Sequence, residues 1–291
     1  MRITGNRMID VAANANAANL SRAAKAANEA SSGLRVGKPS DDPDAWAAAE
    51  RASMKKTLAG GSVGALEAGR ERLAVTDHAL AGVGDALSKM RELATQGANA
   101  TYSADDRAQM AVQVRAMFAA AIDSANTQTA NGEYVLSGSA TTAAPFSATG
   151  VYVGNSDVRN LPITDDALTG SAVAGSALTA ASGIDVLPLF DRVARALETN
   201  DVAGLQALLG DIATATKQVG LARTQTGGTM NVLDAALSAH ADLNAHLTNE
   251  VSRAVEADIV ASASNLAKAT QALEASRAIT SHIVAVVNPT R

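Results

Sequence analysis

The chain has 291 residues, 47% of them apolar but only 2% aromatic, with no cysteine and a net charge of -5. So few aromatics leave little to line a substrate pocket. Missing thiols exclude disulfides and cysteine-based metal or nucleophilic chemistry, and an interspersed, slightly acidic charge pattern lacks the footprint of a nucleic-acid binder. No apolar run of about 18 residues occurs, so no membrane insertion is expected. Met1 to Arg7 lead into Ala and Asn rather than the apolar block of a cleavable secretory signal.

Residues 8–32 are rich in Ala and Asn. Leu20, Ala27 and Leu34 recur every seven residues, with Ala17, Ala24 and Ser31 beside them. This is a narrow coiled-coil stripe that buries little by itself, so the helix is marginal alone. Ser32-Gly33 stops it. Asp42 is placed as an N-cap with Pro43 at the first helical position and Asp44 in the first turn. Capping accounts for this acidic cluster; a metal site would want a glycine-turned loop.

From Pro43 to about Gln96 the spacing predicts one long helix. Leu66, Leu73, Leu80 and Leu87 form a strict heptad ladder, with Val83 and Met90 on the adjoining rung. Gly60-Gly61 and Gly64 lower its local stability. A turn over Gly97–Tyr102 leads to a capping-box pattern at Ser103 and Asp106. The helix it opens, running to about Thr129, is expected to bury Val114, Met117, Phe118, Ala121 and Ile122 and to fold back antiparallel.

Asn131-Gly132 signals a turn, and Tyr134-Val135-Leu136 then reads as a strand. Ser139 to Ile184 reads as a small β-rich insertion, with Val151-Tyr152-Val153 and Leu161-Pro162-Ile163 as short strands. Helical pattern returns from Asp185 through Leu197, and Thr199-Asn200-Asp201 makes the next break and cap. Leu205, Ile212, Val219, Thr226, Leu233, His240 and Leu247 then lie seven apart, with Met230, Leu237 and Val251 on the partner rung. The register carries through Gly227-Gly228, which predicts a single helix.

Val251 to Val287 reads as a final helix, roughly 50 Å long at 1.5 Å per residue. Ile259, Leu266, Leu273 and Val287 share one ladder with the polar rung Thr280; Ser262, Ala269, Ser276 and Ile283 form the ladder beside it. Three of these nine positions are Ala or Ser, so a partner backbone can come close there. A helix with so narrow a stripe must be covered by another part of the chain or by another copy.

Chemistry-bearing constellations are sparse. His78, His240, His246 and His282 are dispersed. His246 and Glu250 share a helical face, but no third ligand accompanies them. His240 sits on an apolar ladder, where a polar residue serves register more often than catalysis. No nucleophile elbow, phosphate loop or dinucleotide fingerprint stands in a strand–turn–helix context. Trp46 is read as packing. Neither catalysis nor a cofactor is expected.

Residues 31–43, SSGLRVGKPSDDP, resemble the N-terminal signature of flagellin-like proteins, as does MRELATQGAN at 90–99 followed by Ser103-x-x-Asp106-Arg107. Within that superfamily, the Pro-Ser-Asp-Asp-Pro run and NGEYVLSG at 131–138 look like the hook-associated protein 3 family of hook–filament junction proteins. Val219-Gly220-Leu221-Ala222-Arg223 and Val255-Glu256-Ala257-Asp258 are similar to its C-terminal landmarks, whereas His282 to Arg291 depart from both families.

The resemblance implies a mainly α fold of long antiparallel helices, a coiled coil of the N- and C-terminal regions, and a small β-rich inserted domain. It divides the chain into a terminal assembly domain (1–42 plus 248–291), a helical domain (43–138 plus 185–247) and an outer insertion (139–184). Leu20, Ala27, Leu34, Ile259, Leu266, Leu273, Ile283 and Val287 are then the assembly residues. Leu66, Leu73, Leu80, Leu87, Met117, Phe118, Ile212, Val219, Leu233 and Leu237 make the helical-domain core. The implied role is an extracellular flagellar adaptor between the hook-associated ring and the filament, exported by the flagellar type III apparatus. Its implied partners are hook-associated protein 1, flagellin, further copies of itself, and an export chaperone at the C-terminal region. A short flagellin and a coiled-coil binding or adhesin module are the alternatives.

Overall fold

The computed structural model describes residues 2–158, 160–164, 167–170 and 173–287. Long helices dominate: α1 (Arg2–Ser32), α2 (Pro43–Gly97), α3 (Ala104–Ala125), α4 (Val186–Glu198), α5 (Val202–Val255) and α6 (Ile259–Val287). One small antiparallel sheet pairs β1 (Asn160–Thr164) with β2 (Ala167–Gly170). The expected mainly α fold with a small β-containing region is borne out.

Local signals explain the boundaries. Gly33 takes a left-handed φ of 70° and closes α1, donating to the Glu29 carbonyl at 3.0 Å, as a glycine just past a helix end does. Asp42 caps α2 by accepting from Ala45 N–H at 3.1 Å. The Ser103–Asp106 capping box opens α3 in both directions. Asn200, at φ 55°, ends the turn after α4, and Asp201 then accepts from Gly204 N–H at 2.8 Å. As predicted, α5 runs unbroken through Gly227-Gly228.

Three expectations are corrected. The final helix does not run from Val251: α5 ends at Val255 and α6 starts at Ile259. Asp258 restarts the helix by accepting from Ala261 N–H at 3.0 Å, and the Val255 and Ala257 backbone groups are engaged by residues 33–36 instead of their own helix. Tyr134-Val135-Leu136 is not a strand. Tyr134 makes a single bridge to Gln128, and the chain then coils so that Val135, Leu136 and Ser137 are all buried. The backbone of Tyr134, Val135 and Leu136 pairs with Thr141, Thr127 and Gly175 in turn, and not along one neighbouring strand. Val151-Tyr152-Val153 likewise contributes only a bridge, from Tyr152 to Phe146.

The chain falls into two compact units, residues 1–59 with 242–291, and residues 60–241. The second unit holds the larger core. Leu80, Val83, Leu87 and Met90 of α2 meet Val114 and Ala121 of α3, Leu189, Phe190 and Val193 of α4, and Ile212 and Val219 of α5. Phe118 and Phe190 stack with centroids 6.1 Å apart. The 139–184 stretch sends Phe146 and Leu178 into this core. A smaller cluster of Leu66, Leu73, Leu233 and Ala236 lies between α2 and α5. The helices run antiparallel there, since Asp77 pairs with Arg223 and Arg70 with Asp234.

Candidate assembly surface

The first unit is built around α1 and α6, which pack antiparallel. On α6 the side chains turned away from solvent are Ser262, Leu266, Ala269, Leu273, Ser276, Thr280 and Ile283, spaced alternately four and three residues. These are the two heptad rungs read from the sequence. The matching α1 seam is Ala12, Asn16, Asn19, Ala23, Ala26 and Ala30, again alternating four and three. It lies one residue away from the predicted Leu20–Ala27–Leu34 ladder, which is a rotation of about 100° around the helix.

That rotation decides which side chains face inward. The buried α1 residues are alanines, whereas Leu20 is 53% and Leu34 is 39% exposed. Ala27 is half-buried. On α6, Leu266, Leu273 and Ile283 are half-buried, while Ile259, beside the helix break, is 64% exposed. Val287 ends α6, and its side chain lies outside the described residues. Met8, Val11, Val260, Ile279 and Val284 are exposed as well. An apolar groove of about 790 Å³ runs along the pair between Met8 and Val11 on one wall and Ile279 and Ile283 on the other.

Two asparagines supply polar contacts across the seam. Asn16 Nδ2–H donates to Thr280 Oγ1 at 2.9 Å, and Asn19 Nδ2–H donates to the Ala272 carbonyl at 3.4 Å. In the sequence these residues read only as poor helix formers. The signal that finds them is the 4–3 spacing, provided Asn is admitted to the seam.

The turn after α1 completes the unit. Asp41 Oδ2 accepts from the N–H groups of Gly37 and Lys38, both at 3.1 Å. The capping bond from Ala45 N–H, then the hydrogen bond from Arg35, hold the Asp42 carboxyl below the usual carboxylate range. These acids are occupied by backbone and guanidinium donors. Among the described residues no three His, Cys, Asp or Glu gather as a metal would require. His246 and Glu250 are both exposed.

The ten core residues named from the sequence lie in the second unit. Leu66, Leu73, Leu80, Leu87, Ile212, Val219 and Leu233 are buried, and Met117, Phe118 and Leu237 are partly buried against them. Sequence reasoning missed two buried polar anchors, Arg107 and Gln218.

Residues 3–141 match the family described as the bacterial flagellin N-terminal helical region, so the resemblance read from the sequence is borne out. The chain is similar to flagellar hook-associated protein 3 of Escherichia coli (strain K12), at 27% identity over 280 residues covering 87% of each protein. The flagellin FlaB1 of Treponema pallidum (strain Nichols) is 33% identical over 116 residues, covering 39% of this chain and 40% of that one. A solved hook-associated protein of Vibrio parahaemolyticus, described as putative in its own name, shares the fold: TM-score 0.68, 24% identity, 74% of this chain and 100% of that one covered.

Proposed function

We propose that this chain is a structural, non-catalytic component of the bacterial flagellum, an adaptor at the hook–filament junction that joins a hook-associated ring to the flagellin filament. The observation that carries this reading is the inverted sorting of side chains on α1 and α6. Alanines and serines occupy most of the seam, while Val11, Leu20, Ile259, Val260 and Ile279 face solvent. A monomer that exposes so many large apolar groups on two helices has a surface awaiting a neighbour. Repeated contacts of that kind, copy against copy, build a cylinder.

On this reading, residues 1–42 plus 248–291 form the assembly domain and carry the interface residues named above. Residues 43–138 plus 185–247 form the helical domain, and 139–184 faces outward. The partners are hook-associated protein 1 on one side, flagellin on the other, further copies in the ring, and an export chaperone on the C-terminal region. The place of action is outside the cell, reached through the flagellar type III apparatus. End-to-end similarity to a hook-associated protein 3 supports the junction over the filament.

A deletion strain tests the proposal: it keeps its hooks and releases unpolymerised flagellin into the medium. Attached filaments in that strain would overturn the reading. The partial similarity to a flagellin favours a second reading, a short filament subunit, and purified protein that elongates filament seeds by itself would establish it.

A further inference from the structure

The α1–α6 seam does not define its own register well. Seven of its thirteen residues are Ala or Ser, and sliding α6 by a heptad exchanges Ser262 for Ala269, Leu266 for Leu273 and Ala269 for Ser276. Among the described residues, the side-chain hydrogen bonds across it that belong to one alignment are Asn16–Thr280 (2.9 Å) and the longer Asn19–Ala272 contact (3.4 Å).

A stronger constraint stands where both helices break. Arg35 N–H and Val36 N–H donate to the Val255 carbonyl at 2.8 and 3.2 Å, and Ala257 N–H donates to the Gly33 carbonyl at 2.9 Å. Leu34 and Glu256 form an antiparallel bridge. The Arg35 side chain spans the junction: Nη1–H donates to Asp42 Oδ2 at 2.9 Å and Nη2–H to the Ala254 carbonyl at 2.7 Å. One planar guanidinium therefore ties the cap of α2 to the last turn of α5, with Val36 buried beside it. Both acceptors sit on elements immediately flanking the break. A one-heptad slip would carry the start of α6 about 10 Å away from this clasp.

We propose that Arg35 is a positioning residue that sets the register of α1 on α6. Given the assembly reading above, it thereby aligns the outward apolar side chains of the two helices, although it is itself no part of that apolar surface. Arg suits the task because its rigid fork reaches two acceptors at once, which an ammonium cannot do in this geometry.

The chain contains no cysteine, so disulfide trapping can be read without background. Two variants of the full chain are compared under the same mild oxidant at high dilution: Asn16→Cys with Thr280→Cys for the observed register, and Asn16→Cys with Leu273→Cys for the one-heptad shift. With Arg35 present, the observed-register pair traps about tenfold faster, equivalent to about 1.4 kcal/mol. Adding Arg35→Ala brings the two rates to within about twofold, while the thermal transition of the 60–241 core stays where it was. If Arg35→Ala slows both pairs equally and preserves their ratio, the residue merely stabilises and the proposal fails. It fails also if the Arg35 chain shows no preference, or traps neither pair. Because trapping is read on purified protein, it is independent of the deletion-strain outcome.

Discussion

Arg107 offers the sharpest test of how the 60–241 unit is held together. Its guanidinium is 4% exposed on a residue basis and has three acceptors: the Gly97 carbonyl (2.7 Å), the Asn99 carbonyl (2.8 Å) and Asn200 Oδ1 (2.6 Å). One side chain thus ties the α2–α3 turn to the α4–α5 turn. Arg107→Met keeps the length of the stem and removes every donor. The Gly97 carbonyl then stays buried without its partner, at about 1–3 kcal/mol, and the two less buried acceptors lose about 1 kcal/mol each. Relief of the desolvated charge offsets part of this. The expected net loss is about 2–4 kcal/mol, a large share of a typical total stability of about 5–15 kcal/mol. Urea titration of the full chain followed by helical circular dichroism should shift the midpoint of the main transition down by about 1–2 M with an unchanged slope. Arg115→Met is the control: Arg115 is 45% exposed by side chain and pairs with Glu198 at the surface, where such a bridge contributes at most about 1 kcal/mol. An Arg107→Met shift no larger than the Arg115→Met shift would refute the reasoning.

Gln218 is buried and saturated, with Oε1 accepting from Ile184 N–H at 3.0 Å and Nε2–H groups donating to the carbonyls of Ala177, Thr179 and Ile184. Gln218→Leu should therefore raise amide exchange over residues 175–184 selectively, while unchanged exchange there would show that the segment is held otherwise. Leu73→Ala opens a cavity in the small α2–α5 cluster and should cost about 2–5 kcal/mol by denaturation; a loss below about 1 kcal/mol would mean that the cluster collapses around the gap. The hydrogen bonds with the Ser103 side chain and backbone lower the Asp106 carboxyl pKa below 3.8. A folded value below the unfolded one contributes stability above the unfolded value and loses it as pH falls through the folded one. Asp106→Asn should consequently flatten the acid limb of the stability–pH curve below about pH 4 and leave its alkaline limb in place.

Much of this protein is written in period and punctuation. The Leu66–Leu87 and Leu205–Leu247 ladders, the Ser103 capping box, the Asp42-Pro43 start and the Asn200 break are local devices, each read by a few neighbouring residues. The structure uses them where the pattern put them. Heptads on α6 likewise point at α1, because a 4–3 spacing leaves a helix only one face to bury. What was illegible depends on a partner far along the chain. The α1 seam runs through alanines and asparagines rather than through Leu20 and Leu34, so the larger Leu266, Leu273 and Ile283 of α6 turn toward a helix face of small side chains. The gap at 256–258 exists because residues 33–36 compete for the backbone of Val255 and Ala257. Tyr134 to Ser137 coils instead of pleating because its backbone partners, Thr141, Thr127 and Gly175, come from separate segments. Arg107 and Gln218 carry no local signal of their role, which arises only where two turns and a loop converge on them. Local spacing determines which segments are helical and which residues stop them; only long-range packing decides which face is closed and which is left for a neighbour. The physical reason is that capping and periodicity are satisfied within one or two turns, whereas burial is a property of whatever the folded chain brings alongside.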